Sequence, residues 1–520
     1  MILKFGGKNK LFMKQNSYFL VFLLACTHLV NPIKAAFNNV DSTRTLIVFF
    51  DGLRPDYITP DGMPNLYAFS KTASIGKSHH SVFPSVTRVN ATSYATGAYP
   101  GTHGLLGNSV YFPEIDPLKA INTGEANELL KINQKLNGHL LTAISLGEVL
   151  KQCHKEMMVF SSGTTGQALM QNHSISGAIV NPTMILPESF KKTVINEIGE
   201  IPPAAKPNHA RHKWITDALL KYGLRLDGPH VSAIWFSDPD GTAHSDGIGS
   251  NTAIASIKSV DEQFGRIISE IKSRGLSDKF NVVISTDHGF VSYIGNENLV
   301  DFLIRSGLKK NKDSDDIIVA GGALYVKNHD VNLIQKTVSH LQSENWVGAI
   351  FTKGEKQNGL IGFIPGTLSF ESIHWNHPER AADILVDVNW NDDKNSAGYS
   401  GSSYSKGIAG HGSLSPYEIN IPLLVSGPSY KKAVKSDLPT SNVDLIPTVL
   451  NTLGLPIPKT VDGRVMYEFL LNREERTYPK VKKEIIKTAV KVNKVNYKLL
   501  LDRSKFGKYV YVNFSQVTRK

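Results

Sequence analysis

Several short runs of continuous apolar residues punctuate the chain: "TLIVFF" (45–50), "VSAIWF" (231–236), "NVVIST" (281–286) and "IPLLVS" (421–426). A strand apolar on both faces needs cover on both, the habit of parallel strands in α/β proteins. Helical patterns lie between them. "AIASIKSVDEQFGRIISEI" (253–271) sets Ile254, Ile257, Val260, Phe264, Ile267 and Ile268 at three- and four-residue steps, which gives a helix one apolar face. "SLGEVLKQC" (145–153) and "NVDLIPTVLNTLG" (442–454) behave alike. Strands alternating with helices predict an α/β fold: a mostly parallel central sheet with helices on both faces. Residues 310–405 are richer in Asn, Asp, Gly and Ser and are expected to form an inserted cap or lobe. The core is then drawn from 37–309 and 406–470. The stretch 471–520 is expected to close it with a basic β-hairpin, because "NYKLLLDRSKFGKYVYVNF" alternates and turns.

The first 36 residues follow another pattern. Lys4, Lys8, Lys10 and Lys14 precede an apolar run from Tyr18 to Cys26, too short to span a bilayer, and Ala35 and Ala36 follow. That order reads as an export signal, so the protein is expected in a periplasm or outside the cell. Two processing sites fit. One is near Ala35–Ala36; the other is Leu23-Leu24-Ala25-Cys26, which resembles a lipoprotein box and would anchor Cys26 to lipid. Cys153, the second of two cysteines, is then left alone and is expected to be a buried apolar residue.

The net charge of +11 changes meaning once it is divided. Five lysines sit in residues 1–36, and residues 471–520 hold 14 Lys or Arg against 4 acids. What remains is about −4 in charge, so the basic excess belongs to the tail rather than to a groove. A nucleic-acid duplex is thereby disfavoured as a partner.

Three predicted strands end on acids. "TLIVFF" runs into Asp51, "VSAIWF" is followed by Asp238 and Asp240, and "NVVIST" by Asp287-His288. Ligands gather at the carboxyl ends of strands in open α/β sheets. Three carboxylates gathered there would repel one another strongly unless a cation lay between them. His244, spaced Asp-x-x-x-His from Asp240 and expected on a loop, and His411 in "AGHGS" extend the set. Carboxylate and imidazole without thiolate suit a catalytic Zn²⁺, with Mn²⁺ or Fe²⁺ as alternatives.

With Thr87 in "FPSVTRVN", these residues resemble the alkaline phosphatase superfamily, in its nucleotide pyrophosphatase/phosphodiesterase branch. The motifs that carry the resemblance are "LIVFFDGLRPDYI", "FPSVTRVNATSYATGAYPGTHGLLGN", "DPDGTAHSDG", "STDHGF" and "GHGS". The resemblance spans about residues 43–470. It implies two Zn²⁺ ions: one on Asp51, Asp287, His288 and the nucleophile Thr87, the other on Asp240, His244 and His411. It implies that Asn108, 21 residues after Thr87, steadies a phosphoryl oxygen, and that Thr87 becomes a phospho-threonine during turnover. Asn90, nearer in sequence, matches a structural position.

The chain departs from that branch at Arg88, where an aromatic residue that stacks on a base commonly follows the nucleophile. A guanidinium there grips phosphate or carboxylate. Tyr57, Tyr111 and Phe112 are other aromatics able to take the missing place. The substrate is expected to be a small phosphate ester. A phosphodiester or pyrophosphate is the first reading; a phosphomonoester or phosphonate is the second, and a phosphocholine or lipid phosphate the third. A catalytically dead surface protein is the last. A sulfatase is disfavoured, since the Cys/Ser-x-Pro-x-Arg pattern is missing near Thr87.

Overall fold

The computed structural model describes residues 43–471 and 477–520. The export signal and the lipid-box Cys26 therefore lie outside the described residues. Eight strands carry most of the central sheet: β1 (Arg44–Phe50), β2 (Ser74–His80), β3 (Met157–Ser161), β4 (Ala178–Asn181), β5 (Met184–Leu186), β6 (Val231–Phe236), β7 (Phe280–Ser285) and β8 (Asn420–Ser426). Their order across the sheet is β2-β8-β7-β1-β6-β3-β4-β5, with the short pieces Lys435–Ser436 and Thr440–Ser441 joined to β2. β1 pairs in parallel with both β6 and β7, and β3 in parallel with β6 and β4. The sheet is thus mostly parallel, as its apolar runs predict.

β8 is the exception. It runs antiparallel to both β7 and β2. "IPLLVS" reads as a parallel strand because continuous apolarity reports cover on both faces, and an interior antiparallel strand has the same cover. β2, "SIGKSHH", has no apolar run at all, yet its Cα partners in β8 fix it in the sheet.

All seven residues of β1 are buried, and they divide between two cores. Leu46, Val48 and Phe50 pack on one face with Val260, Phe264 and Ile267 of the helix Asn251–Ser273. Ile47 and Phe49 pack on the other with Tyr94 and with Leu146, Val149, Leu445 and Val449 of two further helices. Alternate strand residues point to opposite faces, so one strand feeds both layers. Ser250 starts the long helix by accepting a hydrogen bond from Ala253 N. Its apolar face is narrower than the periodicity suggests, because Ile254 is 38% exposed. Cys153 is half-buried against the second core at the end of helix Leu146–Gln152.

Residues 317–388 contribute a five-stranded sheet, with helix Val331–Ser343 packing Ile334, Val338 and Leu341 into an apolar core of its own. Strands Trp390–Lys394 and Ser400–Lys406 join Val291–Gly295 in a separate four-stranded sheet. The tail forms an antiparallel meander of three strands, Val481–Val492, Val495–Phe506 and Tyr509–Arg519.

Three histidines with no solvent exposure give this fold a measurable acid sensitivity. Burial, reinforced by His80, His377 and His209 respectively, pulls His79, His103 and His212 down to about 3. The unfolded chain takes up protons on these rings below their ordinary value, and the fold refuses them. Stability is therefore complete above about pH 6.5 and is lost as pH falls toward 3. At about pH 5 each ring costs about 2 kcal/mol. The urea midpoint is expected to drop steeply between these pH values, and His103→Gln should flatten the slope by about one proton. An unchanged slope in all three single Gln variants would show that these rings are protonated in the fold.

Candidate metal centre and active site

β6, β1 and β7 are neighbours running the same way, so their carboxyl ends share one rim. Asp51 leaves β1 with its N–H still bonded to Phe236 O at 2.9 Å. Gly52 then turns the chain at φ +72°, where a Cβ would meet the Phe290 ring at 3.0 Å and Asp240 Cβ at 3.2 Å. The turn presents Gly52 N to Asp287 Oδ1 at 3.1 Å, and Asp240 N donates to Asp51 O at 3.0 Å. Backbone hydrogen bonds thus tie the Asp51 and Asp240 endings together, and the Asp287 carboxylate joins them through Gly52 N.

Asp240 and His244 occupy the short helix Asp240–Asp246 rather than a loop. Residues four apart share a helix face, so both point the same way. His244 Nε2 lies 3.2 Å from Asp240 Oδ1, and His411 Nε2 lies 3.3 Å from the same oxygen. His288 Nε2 lies 3.0 Å from Asp287 Oδ2 and 3.7 Å from Asp51 Oδ1. Thr87, first residue of helix Thr87–Thr96, puts Oγ1 3.3 Å from His288 Nε2. Two donor groups have all their ligand atoms within 4.8 Å of one another: Asp51, Asp287 and His288, and Asp240, His288 and His411. His288 is in reach of both, its ring stacked on His411 with centroids 3.4 Å apart.

The orientation of the three imidazoles follows from their far sides. His288 Nδ1 donates to Gly289 O at 3.0 Å, His244 Nδ1 to Ala409 O at 3.0 Å, and His411 Nδ1 to Ser85 O at 2.8 Å. A carbonyl only accepts, so each Nδ1 carries the proton and each Nε2 faces the carboxylates. Asp51 Oδ1, Asp240 Oδ1 and Asp287 Oδ2 are buried and face no donor other than those Nε2 atoms among the described residues. Anionic oxygens left this way are costly, and a divalent cation is the partner that suits them. Oxygen and nitrogen donors without sulfur fit Zn²⁺, Mn²⁺ or Fe²⁺.

Electrostatics point the same way. Burial, with the charges of Asp287 and Asp240, pushes the Asp51 carboxyl well above the usual carboxylate range. Burial opposes ionisation of Asp240 and Asp287 too, but His244 with His411 holds the first well down and His288 holds the second down. Burial lowers His411 to about 4, whereas Asp240 and Asp287 outweigh burial at His244 and His288 and raise them. His244 and His288 thus hold a second ring proton more readily than a free histidine does, and a cation binding at Nε2 would compete with it.

Asn108 Oδ1 accepts from the Arg88 N–H at 3.0 Å, which leaves its amide nitrogen as the free donor beside Thr87. Asn90 is fully buried and spends its side chain on Val82, Val86 and Asn442. Arg88 Nε is buried without a partner among the described residues. Tyr57 is buried against Tyr399, Phe112 lies under Arg380, and Tyr111 packs on Tyr325; none of the three lines a cavity at the site.

Two supporting residues escape sequence reasoning. Trp235 Nε1 donates to Asp51 Oδ2 at 3.0 Å from inside β6, where a tryptophan reads as core filling. Glu418 accepts from Ser413 N at 2.7 Å, from Gly412 N, and from Ser85 Oγ at 3.1 Å, and so clamps the loop that carries His411. "SPYE" looks like a helix cap, which hides the long-range role of its glutamate.

Comparison with known proteins places this geometry. The sequence pattern of the type I phosphodiesterase/nucleotide pyrophosphatase family matches residues 45–394. The bis(5′-adenosyl)-triphosphatase enpp4 of Xenopus laevis is 26% identical over 279 residues, 52% of each chain. Its Mus musculus counterpart is 23% identical over 433 residues, 82% of this chain and 81% of that one. Ectonucleotide pyrophosphatase/phosphodiesterase family member 1 of Rattus norvegicus is 25% identical over 251 residues, 48% of this chain and 24% of its own. The matches thus span about half of the Xenopus protein and about a quarter of the rat one. The solved structure of murine ectonucleotide pyrophosphatase/phosphodiesterase 5, an inactive variant in complex with AMP, superposes with a TM-score of 0.56 at 17% identity, covering 80% of this chain and 96% of that one. That likeness establishes the fold. With a family pattern running through well over half of its length, the chain belongs to the type I phosphodiesterase/nucleotide pyrophosphatase family of the alkaline phosphatase superfamily.

Proposed function

We propose that this chain is a two-zinc phosphoric ester hydrolase of the nucleotide pyrophosphatase/phosphodiesterase type, acting through a phospho-threonine on Thr87. One ion is assigned to Asp51, Asp287, His288 and Thr87, the other to Asp240, His244 and His411. The observation that carries the reading is the convergence of three Nε2 atoms and three buried carboxylate oxygens beside a buried threonine hydroxyl. A Zn²⁺ ion held by these donors would supply Lewis acidity, making the Thr87 hydroxyl easier to deprotonate and offsetting charge on the phosphoryl oxygens.

Thr87 Oγ1 attacks phosphorus, the bond to the ester oxygen breaks, and the alcohol or phosphate leaves. The phosphoryl group is then bonded to Thr87, and water releases it with the hydroxyl restored. Asn108 donates its amide N–H to a non-bridging oxygen, held for that task by the Arg88 N–H on its Oδ1. Thr87 opens a ten-residue helix, whose positive end favours the anionic group.

The substrate is a small phosphate ester, and a diester or pyrophosphate stands first because of the family. The names of the relatives speak of nucleotide and bis(5′-adenosyl) triphosphate hydrolysis and of an AMP complex. A phosphomonoester or phosphonate is the second reading, favoured by the unpaired Arg88 side chain at the place expected for an aromatic. Phosphocholine is disfavoured, since Arg88 and Arg211 line the same cavity and repel a quaternary ammonium. The relatives' names place them outside cells, in keeping with the export signal; no helix of the described residues is long and apolar enough to cross a membrane.

The test is a panel of p-nitrophenyl thymidine monophosphate, p-nitrophenyl phosphate and p-nitrophenyl phosphorylcholine, each with and without chelator, alongside elemental analysis. Preferred, chelator-sensitive turnover of the first with two zinc per chain is expected. Arg88→Phe should raise the diester-to-monoester rate ratio by roughly tenfold, the worth of one charge-assisted contact. An unchanged ratio would remove Arg88 from substrate selection, and failure on all three compounds would favour a surface binding protein.

A further inference from the structure

Arg88 separates two cavities of opposite character. On one side lies a space of about 590 Å³ that reaches Asp51, Thr87 and Asp240. No aromatic side chain lines it. Its walls carry Arg88 and Arg211 together with Ser162, Thr164, Thr165 and Asn127. On the other side lies a space of about 640 Å³, bordered by Asn108 and His411, whose walls include Phe83, Leu106, Trp346 and Tyr404. Rings able to hold a base are therefore all on one side of the nucleophile.

Neither arginine makes an ion pair at contact distance among the described residues, although the charges of Asp51, Asp240 and Asp287 act on Arg88 from one side. Arg211 stands on helix His209–Ala218 and spends only its Nε, on Pro202 O at 3.0 Å. Its two terminal nitrogens make no hydrogen bond to the described residues. The one acid on that side away from the metal centre, Glu125, is exposed and faces Thr165 Oγ1 at 3.4 Å. Two guanidiniums with N–H groups to spare, lining one cavity with hydroxyls and with Thr87, make a receptor for an anion rather than for a ring.

We infer that the cavity between Arg88 and Arg211 is a subsite for a second anionic group of the substrate, phosphate or carboxylate. It rests on the phosphoric ester reading above and narrows it: the ester carries one charge at the reacting phosphorus and another on the arm that enters this cavity. Any aromatic arm lies on the Phe83–Trp346 side.

The experiment compares three ligands as competitors of bis(p-nitrophenyl) phosphate hydrolysis: glycerol 3-phosphate, 3-phosphoglycerate and glycerol 1,3-bisphosphate. They share a phosphate and differ in whether the far end is hydroxyl, carboxylate or phosphate. At least one of the doubly anionic pair is expected to bind roughly tenfold tighter than glycerol 3-phosphate, and the tighter one identifies the second anion. Arg211→Met should erase that gap, and Arg211→Lys, which keeps the charge without the fork, should restore part of it. Equal constants for all three ligands in the unaltered enzyme would overturn the subsite, as would a gap that survives Arg211→Met. Calorimetric titration of the same ligands into the zinc-loaded Thr87→Ala variant separates this claim from the proposed activity. An Arg211-dependent gap there, without hydrolysis of any ester by the unaltered protein, would sink the activity and leave the subsite standing.

Discussion

Thr87→Ala is expected to lower turnover of p-nitrophenyl thymidine monophosphate by roughly 10⁴-fold or more while both ions stay bound. The hydroxyl that bonds to phosphorus is lost, and little else changes. Thr87 is buried at the first position of its helix, where alanine is well accommodated, so the fold gives no reason to change. The carboxylates and imidazoles remain, and they supply most of the cation affinity. Stopped assays for rate and elemental analysis for zinc check the two halves separately. Thr87→Ser should keep a measurable rate, since it retains the oxygen. An alanine variant as fast as the parent would remove Thr87 from the nucleophile's role.

Asp51→Asn should push the protein in opposite directions with and without metal. In the metal-loaded enzyme it removes a ligand charge, and turnover should fall by roughly 10³-fold or more, the worth of several kcal/mol of charge stabilisation. In the metal-free protein it removes one of three crowded acids. Asp287 and Asp240 are both among the charges that push the Asp51 carboxyl upward. Removing the Asp51 charge relieves that repulsion. The amide oxygen of the variant can still accept from Trp235 Nε1, as Asp51 Oδ2 does. Apo stability should rise by about 2 kcal/mol. Urea unfolding with and without chelator reads both signs. A variant destabilised equally in both states would mean that the acid serves the fold and not a cation.

The acidic rim is legible in the sequence because it combines two strong local signals. A fully buried strand must be apolar throughout, so an aspartate directly after it stands out, as Asp51 and Asp287 do. Their proximity follows from parallel topology alone, once β1, β6 and β7 are neighbours. What cannot be read depends on distant partners. Trp235 meets Asp51 across 184 residues, and Glu418 meets Ser85 across 333. Each looks locally like something ordinary, a core aromatic or a helix cap. The direction of β8 differs from expectation because strand polarity leaves no trace in hydropathy, and β2 is invisible because its histidines and serines hide a sheet register. His244 sits on a helix rather than the expected loop, since the short segment Asp240–Asp246 is too brief to show a period. Arg211 carries no signal at all: its helix is ordinary, and only the cavity beside Thr87 gives it meaning.

The position of β8 governs the order of events during synthesis. It slots between β2 and β7, so the sheet stays split until residue 426 has left the ribosome. His411 and its glutamate clamp emerge just ahead of it. A growing polypeptide therefore exposes Asp51 and Thr87 long before it can assemble the surrounding cluster, and any cation held there would enter only at the closing stage of biogenesis.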